Sequence, residues 1–159
     1  MSRIAIIGSG SWGTALALSL ARRGDHSIAL WSHSAPVGTY LPGFPIPPQV
    51  EPLTDLAAAV AGAEIVISAV PSQYVRTIYQ RMAPHLAPGQ RIVSATKGIE
   101  DGTFLRMTQV IGQVLADHRL EGSSLSALSG PSFAQEVAAG DPTAITIACS
   151  ESAPANRLQ

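Results

Sequence analysis

Short apolar runs alternate with helical patterns along the chain. The first run, residues 3–7, shows little polar alternation, which is typical of a strand covered by helices on both faces. Six such runs predict strands, at residues 3–7, 28–31, 64–70, 91–95, 125–129 and 143–149.

Apolar residues at helical spacing fill most of the segments between these runs. The alternation predicts an α/β fold, a Rossmann-like, doubly wound and mainly parallel sheet with helices on both faces. Helices are predicted at residues 12–23, 55–63 and 131–139, and two more present apolar faces made of Val75, Ile78, Tyr79 and Met82, and of Phe104, Met107, Ile111 and Val114.

Residues 32–52 break the alternation. Six prolines lie between Pro36 and Pro52, and no helical periodicity is present. We expect a long loop here, either a lid beside a ligand or a shortened connection in place of a crossover helix.

A glycine-rich turn joins the first strand to the first helix. Gly8, Gly10 and Gly13 have the spacing G-x-G-x-x-G, which is typical of dinucleotide binding when a strand precedes it and a helix follows. Gly8 allows the tight bend, Gly10 lets backbone approach a pyrophosphate, and Gly13 lets the helix lie close to the strand. The sequence therefore predicts a dinucleotide-binding site at the start of the chain.

Composition narrows the class of protein. The 159 residues suffice for one domain, and a net charge of −1 with 13% charged residues gives no electrostatic reason to expect nucleic-acid or membrane binding. A lone cysteine, Cys149, excludes an internal disulfide and leaves no cysteine cluster for a metal, so we expect no metal site and a reducing, cytoplasmic location. No apolar run approaches the ~18 residues of a membrane span.

The end of the second strand bears on cofactor preference. A carboxylate there would bind the adenosine ribose of NAD and repel a 2′-phosphate. Ser32 and His33 stand there instead, which favours NADP with NAD as a second possibility, unless His33 is simply a solvated loop residue.

Polar residues also follow the fourth and fifth predicted strands. Lys97, the only lysine, follows the fourth strand and could meet a carbonyl, hydroxyl or phosphate, or be an ordinary surface lysine. Gly130 and Ser132 follow the fifth, where they could hold an oxyanion or merely cap a helix. Parallel strands bring these ends to one edge of the sheet.

With these residues in view, the chain resembles bacterial NAD(P)-dependent glycerol-3-phosphate dehydrogenases over nearly its whole length. The order of Ser-Ala-Thr-Lys-Gly-Ile-Glu and Ser-Gly-Pro-Ser-Phe-Ala is far more specific than the glycine motif. The matching stretches are Gly8–Ala17, Tyr40–Gly43, Ala69–Ser72, Val93–Glu100 and Leu128–Ala134.

The resemblance implies roles for individual residues. It implies that Gly130 and Ser132 bind the phosphate substrate and that Lys97 touches both substrate and cofactor. The family has a longer, usually helical segment before Tyr40, of which residues 34–39 remain. The cofactor contacts implied by the resemblance and the glycine motif together are Gly8, Gly10, Ser11, Trp12, Gly13, His33, Lys97 and Ala134.

The implied reaction is hydride transfer between NAD(P)H and dihydroxyacetone phosphate, giving sn-glycerol 3-phosphate for phospholipid synthesis. The family continues into an all-helical domain whose lysine transfers the proton, so we expect residues 1–149 to form the cofactor domain and residues 150–159 to begin the connection to that domain. We expect residues 1–159 alone to bind cofactor without turnover, and the longer protein to form a homodimer.

Two other functions remain open from the residues. A dehydrogenase of similar architecture could act on a hydroxyacid or a sugar acid. A non-catalytic NADP-binding fragment would also carry the glycine turn, although the Lys97 and Gly130 segments favour a site built around a substrate.

Overall fold

A computed structural model describes residues 2–34, 36–120 and 122–149. The predicted connection at residues 150–159 lies outside this range. The strands in the described residues are β1 (Ser2–Ile7), β2 (His26–Trp31), β3 (Val50–Leu53), β4 (Ile65–Ser68), β5 (Arg91–Ser94), β6 (Ser124–Ser129) and β7 (Thr146–Cys149).

All seven strands form one sheet in the order β3-β2-β1-β4-β5-β6-β7. The first six run parallel, and β7 returns antiparallel to β6, with Ser129 opposite Thr146. This confirms the doubly wound, mainly parallel sheet.

Helices cover both faces of the sheet. They are α1 (Ser11–Ala21), α2 (Leu56–Val60), α3 (Val75–Met82), α4 (Met107–Asp117) and α5 (Ala134–Ala139). Helices α2, α3 and α4 pack with Ala5, Ile7 and Val66 on one face, and α1 packs with Ile4 and Ile6 on the other, where α5 lies against α1. The central strand β1 is therefore covered on both sides, which explains its unbroken apolar run.

The predicted helical faces had different outcomes. Val75, Ile78, Tyr79 and Met82 are all buried in α3, as predicted. The placement of Phe104 on the buried face of the next helix is wrong, because α4 begins only at Met107 and Phe104 is 75% exposed. Phe104 lies instead in a tight turn, in which the Phe104 amide donates to the Glu100 carbonyl and the Glu100 amide donates to the Leu105 carbonyl.

The prediction of a continuous loop over the proline-rich segment is wrong, because the segment ends in the strand β3. This strand pairs only with β2 at the sheet edge, where Pro52 is tolerated since a proline lacks one ladder donor. Upstream, Leu41 is buried against Ala15 and Leu18 of α1. This packing holds the segment against α1, and the choice between a lid beside a ligand and a shortened connection stays a prediction.

Within the described ranges, none of the helices has the length and apolar character that crossing a membrane requires.

Candidate functional site

A cleft of about 1050 Å³ opens where the strand order reverses. From β1 the chain builds outward through β2 to β3, then returns to place β4 on the other side of β1. Helices leave the sheet in opposite directions at such a point, so a crevice forms beyond the carboxyl ends of β1 and β4. The residues that follow β1, β2, β4 and β5 line it, together with the start of α5.

The glycine turn forms the floor of the cleft, and steric contact determines its shape. Gly8 has φ +114°, and a Cβ there would lie 2.7 Å from the Ala69 carbonyl oxygen. A Cβ at Gly13 would overlap the Gly8 carbonyl oxygen, far inside the sum of the two van der Waals radii. These two positions therefore require glycine for the fold itself.

Gly10 differs, because a Cβ there would meet nothing within 4 Å. It is the N-cap of α1, whose first amides have no helical acceptor and lie at the cleft. Open space beside free amides at a helix N-terminus is the arrangement that accepts a phosphate. The turn thus fits the pyrophosphate of a dinucleotide.

Two hydroxyl groups stabilise the turn. Thr14 Oγ1 donates to the Ser9 carbonyl at 3.1 Å, and both residues are buried. Ser11 Oγ donates to the Tyr40 carbonyl at 2.6 Å, which ties the proline-rich connection to the start of α1.

The end of β2 forms one side of the cleft. Trp31 is anchored by a hydrogen bond from its Nε1 to the Thr54 carbonyl at 2.9 Å. The exposed His33 ring stands edge-on to it, with ring centroids 6.1 Å apart, while Ser32 is buried. The structure therefore places His33 in the cleft despite the short connection that follows it.

The end of β5 forms the opposite side. Lys97 Nζ donates to the Gly130 carbonyl at 3.2 Å, which joins the segments after β5 and β6. Gly130 has φ +153°, and a Cβ there would lie 2.6 Å from the Ala144 carbonyl oxygen. Ser132 and Ala134 line the cleft beside Lys97.

An ion pair supports the segment after Lys97. Arg76 of α3 donates to both Glu100 carboxylate oxygens, at 2.7 and 2.8 Å, and also to Gln113 Oε1 of α4 at 2.9 Å. These bonds from Arg76, together with the one from the Thr103 hydroxyl, lower the pKa of Glu100 to about 2. The carboxylate is thus ionised at neutral pH and joins α3 to the turn beyond Lys97.

Most predicted site residues meet in this one cleft. Gly13 and Gly130 lie behind its wall, where Gly13 packs on Gly8 and Gly130 holds Lys97. The predicted residues that line it are Gly8, Gly10, Ser11, Trp12, His33, Lys97, Ser132 and Ala134.

The sequence reasoning missed one side of the cleft, contributed by α3 and the turn before it. Tyr74, Thr77, Ile78 and Arg81 line the cleft there. Their spacing of i, i+3, i+4 and i+7 was a readable signal. It was not recognised because the buried apolar face of the same helix, which also contains Ile78, accounted for the helical pattern.

A family model described as the N-terminus of NAD-dependent glycerol-3-phosphate dehydrogenase matches residues 3–155. The chain is 52% identical to a glycerol-3-phosphate dehydrogenase [NAD(P)+] of Acidobacterium capsulatum and 47% identical to one of Koribacter versatilis. Both alignments cover 100% of this chain but only 51% and 50% of those proteins. The chain therefore spans about half the length of the curated relatives it matches.

A solved structure gives the same picture. The crystal structure of a glycerol-3-phosphate dehydrogenase from Coxiella burnetii superposes with a TM-score of 0.88 at 35% identity. The match covers 99% of this chain and 49% of that one.

Proposed function

The chain belongs to the NAD-dependent glycerol-3-phosphate dehydrogenase family, and on that premise we propose that it is the cofactor-binding part of such an enzyme. The proposed reaction is hydride transfer between NAD(P)H and dihydroxyacetone phosphate, which gives sn-glycerol 3-phosphate. The observation that carries the proposal is the single cleft that has the glycine turn as its floor and Lys97 at one side.

The glycine turn and the end of β2 would hold the cofactor. The α1 amides and the open space at Gly10 suit the pyrophosphate, and Ser11, Trp12, His33 and Ala134 would position the rest. When bound, the nicotinamide supplies the hydride.

Lys97 would bind the substrate. An ammonium group keeps two further donors after its bond to the Gly130 carbonyl, and these can stabilise a phosphate or the negative charge that develops on a reduced carbonyl oxygen. Ser132 and the backbone at Gly130 would complete the phosphate contacts.

The reaction also needs a proton donor, which we assign to a region beyond this chain. In this proposal residues 1–149 form the cofactor domain, residues 150–159 begin the connection to a helical domain, and that domain carries the proton-transfer lysine. The longer protein would act in the cytoplasm, as a homodimer, and supply glycerol phosphate for phospholipid synthesis.

Fluorescence titration tests the proposal, because both tryptophans of the chain, Trp12 and Trp31, line the cleft. We expect NADPH or NADH to quench this fluorescence. Dihydroxyacetone phosphate should then bind the cofactor complex, and Lys97→Ala should weaken that second step by at least about tenfold, since a bond to a charged group is lost. Arg23→Ala, which removes a charge outside the cleft, is the matched control and should bind normally.

Turnover is tested by loss of NADPH absorbance with dihydroxyacetone phosphate. We expect residues 1–159 to show binding without appreciable turnover. Turnover at ordinary enzymatic rates would make Lys97 or another residue here the proton donor. Failure to bind either dinucleotide would contradict the proposal as a whole.

A further inference from the structure

The cleft extends along α3, beyond the glycine turn. Tyr74, Thr77, Ile78 and Arg81 line it from one end of this extension to the other. Seven residues of helical rise span about 10 Å, so the side contributed by α3 reaches well away from the strand ends. A pyrophosphate cradle alone does not need this length.

Arg81 lies on the side of α3 that faces away from α4. On the other flank of α3, Arg76 reaches Gln113 of α4 and Glu100. Five residues along a helix turn its direction by about 140°, so Arg81 lies on the flank of α3 away from α4, where α3 contacts α2 and α2 in turn packs against β2. His33 and Ser34, which follow β2, line the same cleft as Arg81.

This side lies far from Lys97. Strands β2 and β5 are three positions apart in the sheet, a separation of about 14 Å at the usual strand spacing. Arg81 therefore belongs to the end of the cleft opposite the proposed substrate end.

The charges around the cleft distinguish Arg81. Among the described residues that line the cleft, Lys97 is the lysine and Arg81 is the arginine, and no Asp or Glu is present. Lys97 is bonded to the Gly130 carbonyl, whereas the Arg81 guanidinium has no hydrogen bond or ion pair to any described residue. A basic residue in the last turn of α3 also suits the helix dipole, but this does not require that it line the cleft.

We propose that Arg81 and His33 form a subsite for the 2′-phosphate of NADP, and that Arg81 makes the chain prefer NADP to NAD. The inference rests on the proposed function, which places a dinucleotide in this cleft. A guanidinium offers a planar set of donors that matches a phosphate, and it stays charged at any pH near neutrality. The carboxylate that would repel a 2′-phosphate is absent from the described cleft lining.

Two ligands that differ only in this phosphate test the proposal, ADP-ribose and 2′-phospho-ADP-ribose. Both are titrated by tryptophan fluorescence into the wild type, Arg81→Gln and the control Arg23→Gln. Arg81→Gln should bind the 2′-phosphorylated ligand about tenfold more weakly and ADP-ribose within about twofold of wild type. Arg23→Gln, which has the same net charge as Arg81→Gln, should bind both ligands with wild-type affinity.

Equal loss for both ligands would overturn the proposal, because Arg81 would then act on the base or on the fold. No loss for either would overturn it too. Wild type that binds neither ligand would contradict the proposed function itself, which separates the two failures.

A second measurement needs no variant. Screening weakens charge interactions as salt rises, so the wild-type preference for 2′-phospho-ADP-ribose should shrink between ~0.05 M and ~0.5 M salt. A preference that is absent at low salt, or unchanged across this range, would contradict a charge-based subsite.

Discussion

The glycine turn and the Lys97 end of the cleft are built from different interactions. In the turn, backbone atoms touch so closely that a single added methyl group would overlap a carbonyl oxygen at Gly8 or Gly13. At the Lys97 end, partly exposed segments are joined by side-chain bonds, from Lys97 to Gly130 and from Arg76 to Glu100.

This difference predicts different sensitivities. Steric contacts do not change with pH or salt, whereas ionic hydrogen bonds do. Gly130 is the exception at the Lys97 end, since its Cβ would approach the Ala144 carbonyl oxygen. One end of the cleft is thus rigid in its basic shape, and the other is adjustable around one glycine anchor.

The largest effect is expected for Gly13→Ala. Helix propensity alone would make this change stabilising by about 1 kcal/mol, but a Cβ that overlaps the Gly8 carbonyl oxygen forces α1 to move. We expect a net loss of about 3 kcal/mol in the free energy of unfolding, measured by urea denaturation.

Gly112→Ala in α4 is the matched control. Its Cβ would lie 3.8 Å from Leu125 Cδ2, an ordinary contact, so stability should rise by about 0.5–1 kcal/mol. Equal effects of the two alanines would refute the steric account of the turn.

An intermediate effect is expected for Gly10→Ala, and it should reduce the affinity for the cofactor rather than the stability of the fold. The free energy of unfolding should change by less than about 1 kcal/mol, because the Cβ enters open space and the position is only an N-cap. Affinity for NADPH should fall at least about tenfold, since the methyl group occupies the approach to the α1 amides. Normal affinity in a titration of this variant would place the pyrophosphate elsewhere.

The smallest effect is expected for Glu100→Gln, and it should depend on pH. A carboxylate whose pKa is lowered by folding, here from 4.5 to about 2, stabilises the fold above its unfolded pKa. That contribution is lost as the pH falls from about 4.5 through about 2. The thermal midpoint of wild type should exceed that of Glu100→Gln by a few degrees at most near neutrality, and the gap should close in this acid range.

The neighbouring exposed carboxylate offers a control. Asp101→Asn should follow the wild-type profile, because the Asp101 side chain makes no hydrogen bond or ion pair with any other described residue. A gap for Glu100→Gln that stays constant down to about pH 2 would show that the ion pair does not support the Lys97 end.

The same contrast separates what the sequence predicts from what it does not. The turn at Gly8–Gly13 is local in sequence, and its steric requirement for glycine produces a spacing that is visible in the sequence itself. The bond from Lys97 to Gly130 joins positions 33 residues apart, so local spacing carries no sign of it. Their positions after predicted parallel strands brought both residues to one edge of the sheet, and the resemblance to a family then implied their roles in binding.

Two further features escaped prediction for related reasons. Strand β3 is four residues long and contains Pro52, so its existence depends on an open edge of β2 that local pattern does not reveal. Arg81 shares a helix with a strongly apolar stripe, and its importance comes from which face of α3 borders the cleft.

The contact between Gly8 and Ala69 also has a consequence for the order of folding. The turn is continuous in sequence, yet it is completed by β4, about sixty residues later, through the Ala69 amide that donates to the Ile7 carbonyl. Closing a loop of this length costs conformational entropy before any contact repays it, so we expect the cradle to form late, once β4 has joined β1. During synthesis, a chain that has emerged only as far as α2 carries the whole motif but not the site.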